Sequence, residues 1–249
     1  MSLLTMKDVS SFLRAVDLRH PNFFADHVKT LSLIDEYSED VHFRILSVCT
    51  SVTNLTCSGI SCQGFEALSG LHSLRRISST FHQSPFYLPS LQNVTHLVVM
   101  DRSPVWTQPG FICQDSLPQL THLVLRLSLP TYWGNEGKDA VPDLLRGQLS
   151  RSSMRVCVLL AEHGEHVLET KEFLGHIDDS RLVILSVKRL TCGISEYGLS
   201  IDRIDDVWKV AEQVALLQRN SVGGTYLLSF GPSVLFNNLP FYVLMLHRR

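Results

Sequence analysis

The chain of 249 residues carries a formal net charge of −2, with 22 Lys and Arg side chains against 24 Asp and Glu. Because a nucleic-acid-binding protein usually presents a strongly basic face, this balance argues against a nucleic-acid partner. Hydrophobic residues make up 45% of the sequence and charged residues 18%, which is ordinary for a globular protein. A chain of this length can bury a sizeable core, as one large domain or two small ones.

The first element in chain order is a predicted helix at the N-terminus. Apolar residues recur at helical spacing within TMKDVSSFLRAV, and Thr5 and Asp8 form a capping-box pattern. We interpret residues 1–26 as an N-terminal capping helix, which the first unit of a repeat stack needs as a cover. This segment carries charges and has no long apolar run, unlike a signal peptide. We therefore expect a cytoplasmic or nuclear protein whose six cysteines are reduced.

Seven segments then share one pattern, in which an apolar residue is followed by a second three positions later and a third two beyond that. They are HVKTLSLID, SVTNLTCSG, SLRRISSTF, NVTHLVVMD, QLTHLVLRL, MRVCVLLAE and RLVILSVKR. Their first apolar residues, separated by 24, 22, 20, 26, 34 and 28 positions, are Val28, Val52, Leu74, Val94, Leu120, Met154 and Leu182. Such spacing is close to that of leucine-rich repeats, in which each unit adds one strand to a parallel sheet.

We therefore predict an α/β fold in which residues 27–190 form a degenerate leucine-rich-repeat-like solenoid. It would have a curved parallel sheet of about seven short strands, with helices and loops on the outer side. The alternative is a conventional α/β sheet. The side chains expected to point inward are Leu31, Leu55, Ile77, Leu97, Leu123, Cys157 and Leu185. Helices are expected in SEDVHFRILSV, CQGFEALSGL and DAVPDLLRGQL, where apolar residues form one stripe.

The C-terminal part contains the strongest helical pattern and an apolar tail. We interpret residues 191–220 as a C-terminal capping helix whose buried face comprises Ile204, Val207, Trp208, Ala211, Val214 and Leu217. The tail, 221–249, has no Asp, Glu, Lys or Arg before His247. It fits a pair of short strands, an unstructured segment, or a membrane anchor. Gly231-Pro232 and Pro240 count against the anchor, so we do not expect a membrane partner.

Several of these segments resemble the leucine-rich-repeat-like part of F-box proteins of mushroom-forming fungi. The matching pieces are SFLRAVDLRHPNFFADHVKTLSL, ILSVCTSVTNLTCSGI, LPSLQNVTHLVVMD, LPQLTHLVL, IDDSRLVILSV and IDDVWKVAEQVA, which together span roughly residues 10–220. The resemblance implies a solenoid that recognises the substrate of a ubiquitin ligase. In such proteins an F-box before the repeats binds the cullin-ligase adaptor. Here the first repeat lies near the start of the chain, so we do not expect this chain to bind the adaptor.

No motif predicts catalysis or a cofactor. The chain lacks GxGxxG, P-loop, HExxH and GxSxG patterns. EHGEH at 162–166 brings His163 and His166 close in sequence, but no third ligand is placed, so we predict no metal site. Asn54-Leu-Thr and Asn93-Val-Thr match the glycosylation pattern. Because both are assigned to strands, we interpret them as ordinary strand residues. An enzyme with an unrecognised site, or a tail-anchored binding protein, is the alternative to an interaction module.

The predicted function is non-catalytic binding of another protein, and two groups of residues are candidates for it. Strand alternation places Arg76, His96, His122 and Arg126 outward on three successive repeats, without an acidic neighbour on the same face. This cationic patch fits an acidic protein partner, and lower pH should strengthen binding through the histidines. Trp106 and Trp133, in loops between repeats, are the second group. The outward positions Val156, Val158, Leu160 and Ile184 are apolar and require a cover.

Overall fold

In the computed structural model, all seven predicted strand segments form β-strands, and each pairs in parallel with at least one neighbour. The structure describes residues 2–3, 6–20, 22–33, 39–60, 68–81, 89–100, 112, 117–127, 134–161, 170, 173–174, 177–187, 201–220, 234–236 and 239–243. The chain divides into two compact units. Unit 1 comprises Met1–Met100, Pro109–Leu120 and Ser195–Ile201; unit 2 comprises Asp101–Gln108, Thr121–Ile194 and Asp202–Arg249.

Unit 1 contains a parallel sheet with helices in its connections. Its strands, in spatial order, are β1 (Ser2–Leu3), β2 (Thr30–Leu33), β3 (Asn54–Ile60), β4 (Arg76–Phe81) and β5 (His96–Val99). Its helices are α1 (Met6–Leu18), α2 (Asn22–His27), α3 (Glu39–Val48) and the 3₁₀ helix Pro89–Asn93. β1 was not predicted from the sequence, and it adds the start of the chain to the sheet. Of the predicted helix CQGFEALSGL, only residues 68–71 are described.

The core of unit 1 follows the predicted register. Leu31 pairs with Leu55, Leu55 with Ile77, and Ile77 with Leu97, and all four side chains are buried. Fully burying one such side chain contributes roughly 1.5–3 kcal/mol. This row is part of the buried core, and the prediction that these side chains share one face of the parallel sheet is confirmed.

The helices of unit 1 are linked by an aromatic contact and an ion pair. The rings of Phe12 in α1 and Phe24 in α2 pack edge to face with centroids 4.7 Å apart. Arg44 in α3 donates to Asp17 in α1 at 2.5 Å, but both side chains are at least half exposed. An exposed pair of this kind contributes about 1 kcal/mol or less, so the apolar contacts dominate.

Unit 2 combines parallel and antiparallel strands. Strands β6 (His122–Leu127), β7 (Val156–Ala161) and β8 (Leu182–Val187) are parallel. β10 (Leu239–Val243) then pairs antiparallel with β8, and β9 (Val234–Phe236) pairs antiparallel with β10. The helices are α4 (Gly134–Leu149) and α5 (Ile201–Asn220). Part of the tail thus forms two strands, and the described residues include no helix long and apolar enough to cross a membrane.

The register of β8 corrects one prediction. Leu123 pairs with Cys157 as expected, but Cys157 pairs with Leu182, not with Leu185. Leu185 pairs with Leu160 and so lies on the opposite face from Cys157, because paired residues of parallel strands share a face. Ile184 pairs with Leu159, so its assignment to the same outward face as Leu160 was also wrong. The apolar spacing is ambiguous here because LVILSV is apolar on both faces.

The six strands β3 to β8 are each preceded by the same tight turn. The amide of the first apolar residue donates to the carbonyl three residues earlier, for example Val94 to Leu91 at 2.9 Å. The same bond, at 3.0–3.2 Å, joins Val52 to Cys49, Leu74 to Leu71, Leu120 to Leu117, Met154 to Arg151 and Leu182 to Asp179. The turn residues Cys49, Leu71, Leu91 and Leu117 are buried, which extends the apolar period of three backwards from each strand.

The strand face predicted to be outward is largely buried in both units. Residues on this face with 5% exposure or less are Ser78, Val98, Met100, Val124, Val156, Val158 and Leu160. The prediction assumed that one face of the sheet packs on the core and the other meets solvent, as in an open repeat stack. Burial on both faces is instead typical of parallel sheets covered on each side.

Helix α5 lies within the predicted range 191–220, and its apolar face is largely as expected. Val207, Trp208, Ala211 and Val214 are buried, while the side chain of Ile204 lies outside the described part of the structure. Leu217, however, is 48% exposed, so its assignment to that face was wrong. The buried stripe continues instead through Ala215. Contacts described below show that α5 packs on the sheet face of unit 2 rather than only closing its end.

Candidate functional site

The six predicted binding residues fall into three groups. Arg76 and His96 lie at the starts of β4 and β5 in unit 1, and they are direct partners in the sheet register. His122 and Arg126 lie on β6 in unit 2. Trp106 and Trp133 lie outside the described residues, as do His163 and His166 of the metal candidate.

In unit 1 a polar row crosses the beginnings of four strands. It consists of Thr30, Asn54, Arg76 and His96, which are successive register partners and are all half-buried. The Asn54 amide donates to Thr30 Oγ1 at 3.3 Å. Just before this row, Lys29 and Arg75 are exposed, and Arg75 donates to the carbonyl of Asn93 at 3.2 Å. We call these six residues, which include three cations, the strand-start row.

The ring of His96 is hydrogen-bonded to the hydroxyl of the preceding residue, Thr95. Thr95 Oγ1 donates to the carbonyl of Arg75 at 3.2 Å and lies 2.8 Å from His96 Nδ1. A hydroxyl carries one proton, so with that proton directed at the carbonyl the hydroxyl accepts from the ring. Both contacts are hydrogen bonds at the same time only when Nδ1 of His96 carries a proton.

In unit 2 the equivalent histidine is enclosed. His122 is 4% exposed, its ring packs edge to face on Trp208 with centroids 5.4 Å apart, and its Nε2 lies 2.9 Å from Glu212 Oε1. Trp208 and Glu212 are separated by one turn of α5, so they project from one side of the helix. The expected absence of an acidic neighbour was wrong for His122, because the carboxylate comes from a helix ninety residues away in sequence.

The proton on Nε2 of His122 follows from its acidic partner. An ionised carboxylate only accepts, so Nε2 of His122 donates to Glu212. Thr121 Oγ1 lies 2.7 Å from Nδ1 and can donate to a neutral ring or accept from a charged one. His122 is thus a buried residue that links β6 to α5. It does not lie on a surface open to a partner, and the prediction that it does is corrected.

A second polar cluster in unit 2 closes the end of α4. Arg181 donates to the carbonyls of Leu149, Arg151 and Met154 and pairs through two nitrogens with Asp179, Nη2 to Oδ2 being 2.7 Å. Burial alone would raise the pKa of Asp179, but the hydrogen bonds and charge of Arg181 outweigh it and hold that pKa below its ordinary value. The carboxylate in turn raises the pKa of Arg181. The cluster satisfies carbonyls at a helix end and is structural.

The described cysteines do not fit a nucleophilic role. Cys49, Cys57 and Cys157 are buried free thiols, and burial raises the pKa of each to about 12. The thiolate, which is the reactive form, is therefore strongly disfavoured. Among the described residues no group of three or more His, Cys, Asp or Glu side chains could hold a metal ion.

The two glycosylation patterns differ in position. Asn54 lies in β3 as predicted, but Asn93 is the exposed last residue of a 3₁₀ helix, so its assignment to a strand was wrong. Its amide donates to the carbonyl of His72 at 3.2 Å.

Comparison with known proteins found no matching family model, no matching curated protein and no matching solved structure.

Proposed function

We propose that this chain is a non-catalytic protein-interaction module built as a leucine-rich-repeat-like solenoid. The observation that supports this most is the repeated turn-and-strand unit. In both units one carbonyl at the start of a strand accepts from two successive amides of the next strand, as Lys29 does from Thr53 at 2.8 Å and Asn54 at 3.1 Å. The carbonyls of Thr53, Arg75 and Thr121 repeat this geometry. Repeats that stack in this way give a rigid surface of the kind used in binding.

The strand-start row of unit 1 is the proposed binding surface. Its cationic members Lys29, Arg75 and Arg76 are exposed or half-buried, with His96 beside them. An acidic protein segment would form charge-assisted hydrogen bonds there. The equivalent positions of unit 2 do not offer this surface, because His122 is enclosed by α5 and Val156 is buried.

The resemblance to F-box proteins supports a more specific version of this proposal. In that version the acidic partner is the substrate of a ubiquitin ligase, and the strand-start row is part of the surface that selects it. The version rests on sequence resemblance alone, whereas the binding surface rests on burial and charge.

The test is affinity capture with the full chain, followed by measurement of affinity for the partner that is retained. We expect Arg76→Ala combined with His96→Gln to weaken binding at least tenfold, and added salt to weaken it further for the unaltered chain. The matched control is Arg146→Ala in α4, an exposed arginine paired only with Asp143 of its own helix in the described contacts. Equal affinity of both variants would refute the strand-start row as the binding surface.

A further inference from the structure

The outer edge of β8 is the place where parallel pairing ends in unit 2. β10 covers this edge antiparallel, with Phe241 opposite Val187, Tyr242 opposite Ser186 and Val243 opposite Leu185. β9 then pairs with β10. An uncovered edge strand presents a row of N–H and C=O groups to any second strand, so what covers β8 decides whether it can pair with another chain.

One hydrogen bond fixes which backbone groups of β8 face this edge. The amide of Cys157 in β7 donates to the carbonyl of Arg181 at 2.9 Å, so the groups of Arg181 face β7. Backbone groups alternate along a strand, so Val183, Leu185 and Val187 also face β7. The N–H and C=O groups of Leu182, Ile184 and Ser186 therefore face β10.

The same alternation applies to the hairpin formed by β9 and β10. Tyr242 is opposite Ser186, so the N–H of Tyr242 faces β8. Phe241 consequently faces β9, where it is opposite Val234. Leu235 lies next to Val234, so its N–H faces away from β10.

The hairpin has one of the features with which sheets end. β9, the outermost strand, has three residues, and short strands at an edge limit further strand addition. β10 lies between β9 and β8, and by the same alternation Pro240 is on the side that faces β8. β8 itself is longer, and LVILSV contains no proline and no charged residue that would repel a second copy.

We propose that the hairpin Val234–Val243 shields the edge of β8 from a second copy of this chain, and that its release produces a two-fold dimer through β8. The antiparallel seating of β10 indicates that this edge accepts an antiparallel strand. Two identical edges related by a two-fold axis also run antiparallel, so β8 of one copy fits β8 of another.

The test uses proline substitutions in the full chain and sedimentation equilibrium over a range of concentrations. Tyr242→Pro removes the N–H that faces β8, whereas the matched control Leu235→Pro removes one that faces away from β10. We expect Tyr242→Pro to lower the dimer dissociation constant at least tenfold, and Leu235→Pro to behave like the unaltered chain. Equal masses for all three proteins would overturn the proposal.

A third variant locates the interface. Adding Ser186→Pro to Tyr242→Pro removes a donor on the exposed edge without touching a group that faces β7, so the dimer should dissociate. A dimer that persists would place the interface elsewhere and overturn the proposal. Dimerisation of the unaltered chain that Tyr242→Pro abolishes would indicate exchange of hairpins between copies, which also overturns it.

A measurement on the unaltered chain covers the case in which Tyr242→Pro does not fold. Hydrogen exchange should show the amides of Ser186 and Tyr242 protected together, because they are opposite each other in one ladder. Rapid exchange of Ser186 in the native monomer would mean that the hairpin does not cover the edge, and would overturn the proposal.

Discussion

Thr95-His96-Leu97 in unit 1 and Thr121-His122-Leu123 in unit 2 have the same sequence and the same local structure. In both, the threonine hydroxyl lies within 2.8 Å of the histidine Nδ1, and the leucine side chain is fully buried. They differ in what meets the histidine ring. His96 remains half-buried, whereas His122 is enclosed by Trp208 and Glu212 of α5. Three residues thus determine a strand start and its hydrogen bond, but burial depends on a distant helix.

Removal of the helix contact should give the largest effect. Trp208→Ala deletes the buried ring that packs on His122 and should lower the free energy of unfolding by about 3–5 kcal/mol. Leu216→Ala is the control in the same helix, since Leu216 is 56% exposed, and it should change stability by less than about 0.5 kcal/mol. Urea unfolding followed by circular dichroism measures both. Similar losses for the two variants would mean that α5 does not pack through Trp208.

Because Leu97 and Leu123 are equally buried, truncating either one should lower the free energy of unfolding by the same amount. Leu97→Ala and Leu123→Ala each truncate a side chain with no exposed surface, so each should cost about 2–5 kcal/mol. The same unfolding measurement checks this. A loss confined to one of the two would show that the repeated phrase has different core roles in the two units.

The turns before the strands also differ between the two units, and the turn before β8 should make the stability of the fold depend on pH. The turns before β4 and β5 begin and end with buried apolar side chains. The turn before β8 instead contains the Asp179–Arg181 pair. The pKa of Asp179 is lower in the folded chain than its ordinary value of 3.8, so its stabilising effect is present above that value and is lost as the pH falls further. Asp179→Asn should therefore cost about 1–3 kcal/mol at pH 7 and progressively less below about pH 4. A cost independent of pH would contradict the ion pair.

The bond between His122 and Glu212 should contribute less, because the Glu212 side chain is 52% exposed. We expect Glu212→Gln to cost about 0.5–1 kcal/mol, and a double-mutant cycle with His122→Gln to give a coupling of similar size. His122→Gln combined with Arg146→Ala, an exposed arginine of α4 that pairs with Asp143, is the control and should show no coupling. Additivity in both cycles would mean that the contact does not stabilise the fold.

The smallest expected effect concerns only proton positions. Nitrogen chemical shifts of the imidazole rings should show a proton on Nδ1 of His96 and a proton on Nε2 of His122, because their partners differ. The shifts are recorded on the native protein at neutral pH, with each histidine assigned by its substitution to Gln. The reverse arrangement at either ring would refute the hydrogen-bond directions derived from Thr95 or Glu212.

The sequence by itself determined the seven repeat strands, most of the helices and the core of unit 1. This was possible because a leucine or isoleucine at each equivalent position, such as Leu55 and Ile77, can be buried only if consecutive strands align. The helix over 201–220 was also evident, since its apolar residues recur at helical spacing and acidic residues lie in its first turns. These features depend on residues near in sequence, where the spacing of apolar side chains is informative.

Only the tertiary structure decided the register of β8, the cover over His122 and the pairing of the tail. LVILSV is apolar at every position except Ser186, so its spacing does not distinguish two registers that place opposite faces inward. The partner of His122 lies ninety residues away, and no local pattern records that α5 lies against β6. The strands β9 and β10 are short and uncharged, and they become strands because the backbone of β8 has an edge that requires hydrogen-bond partners.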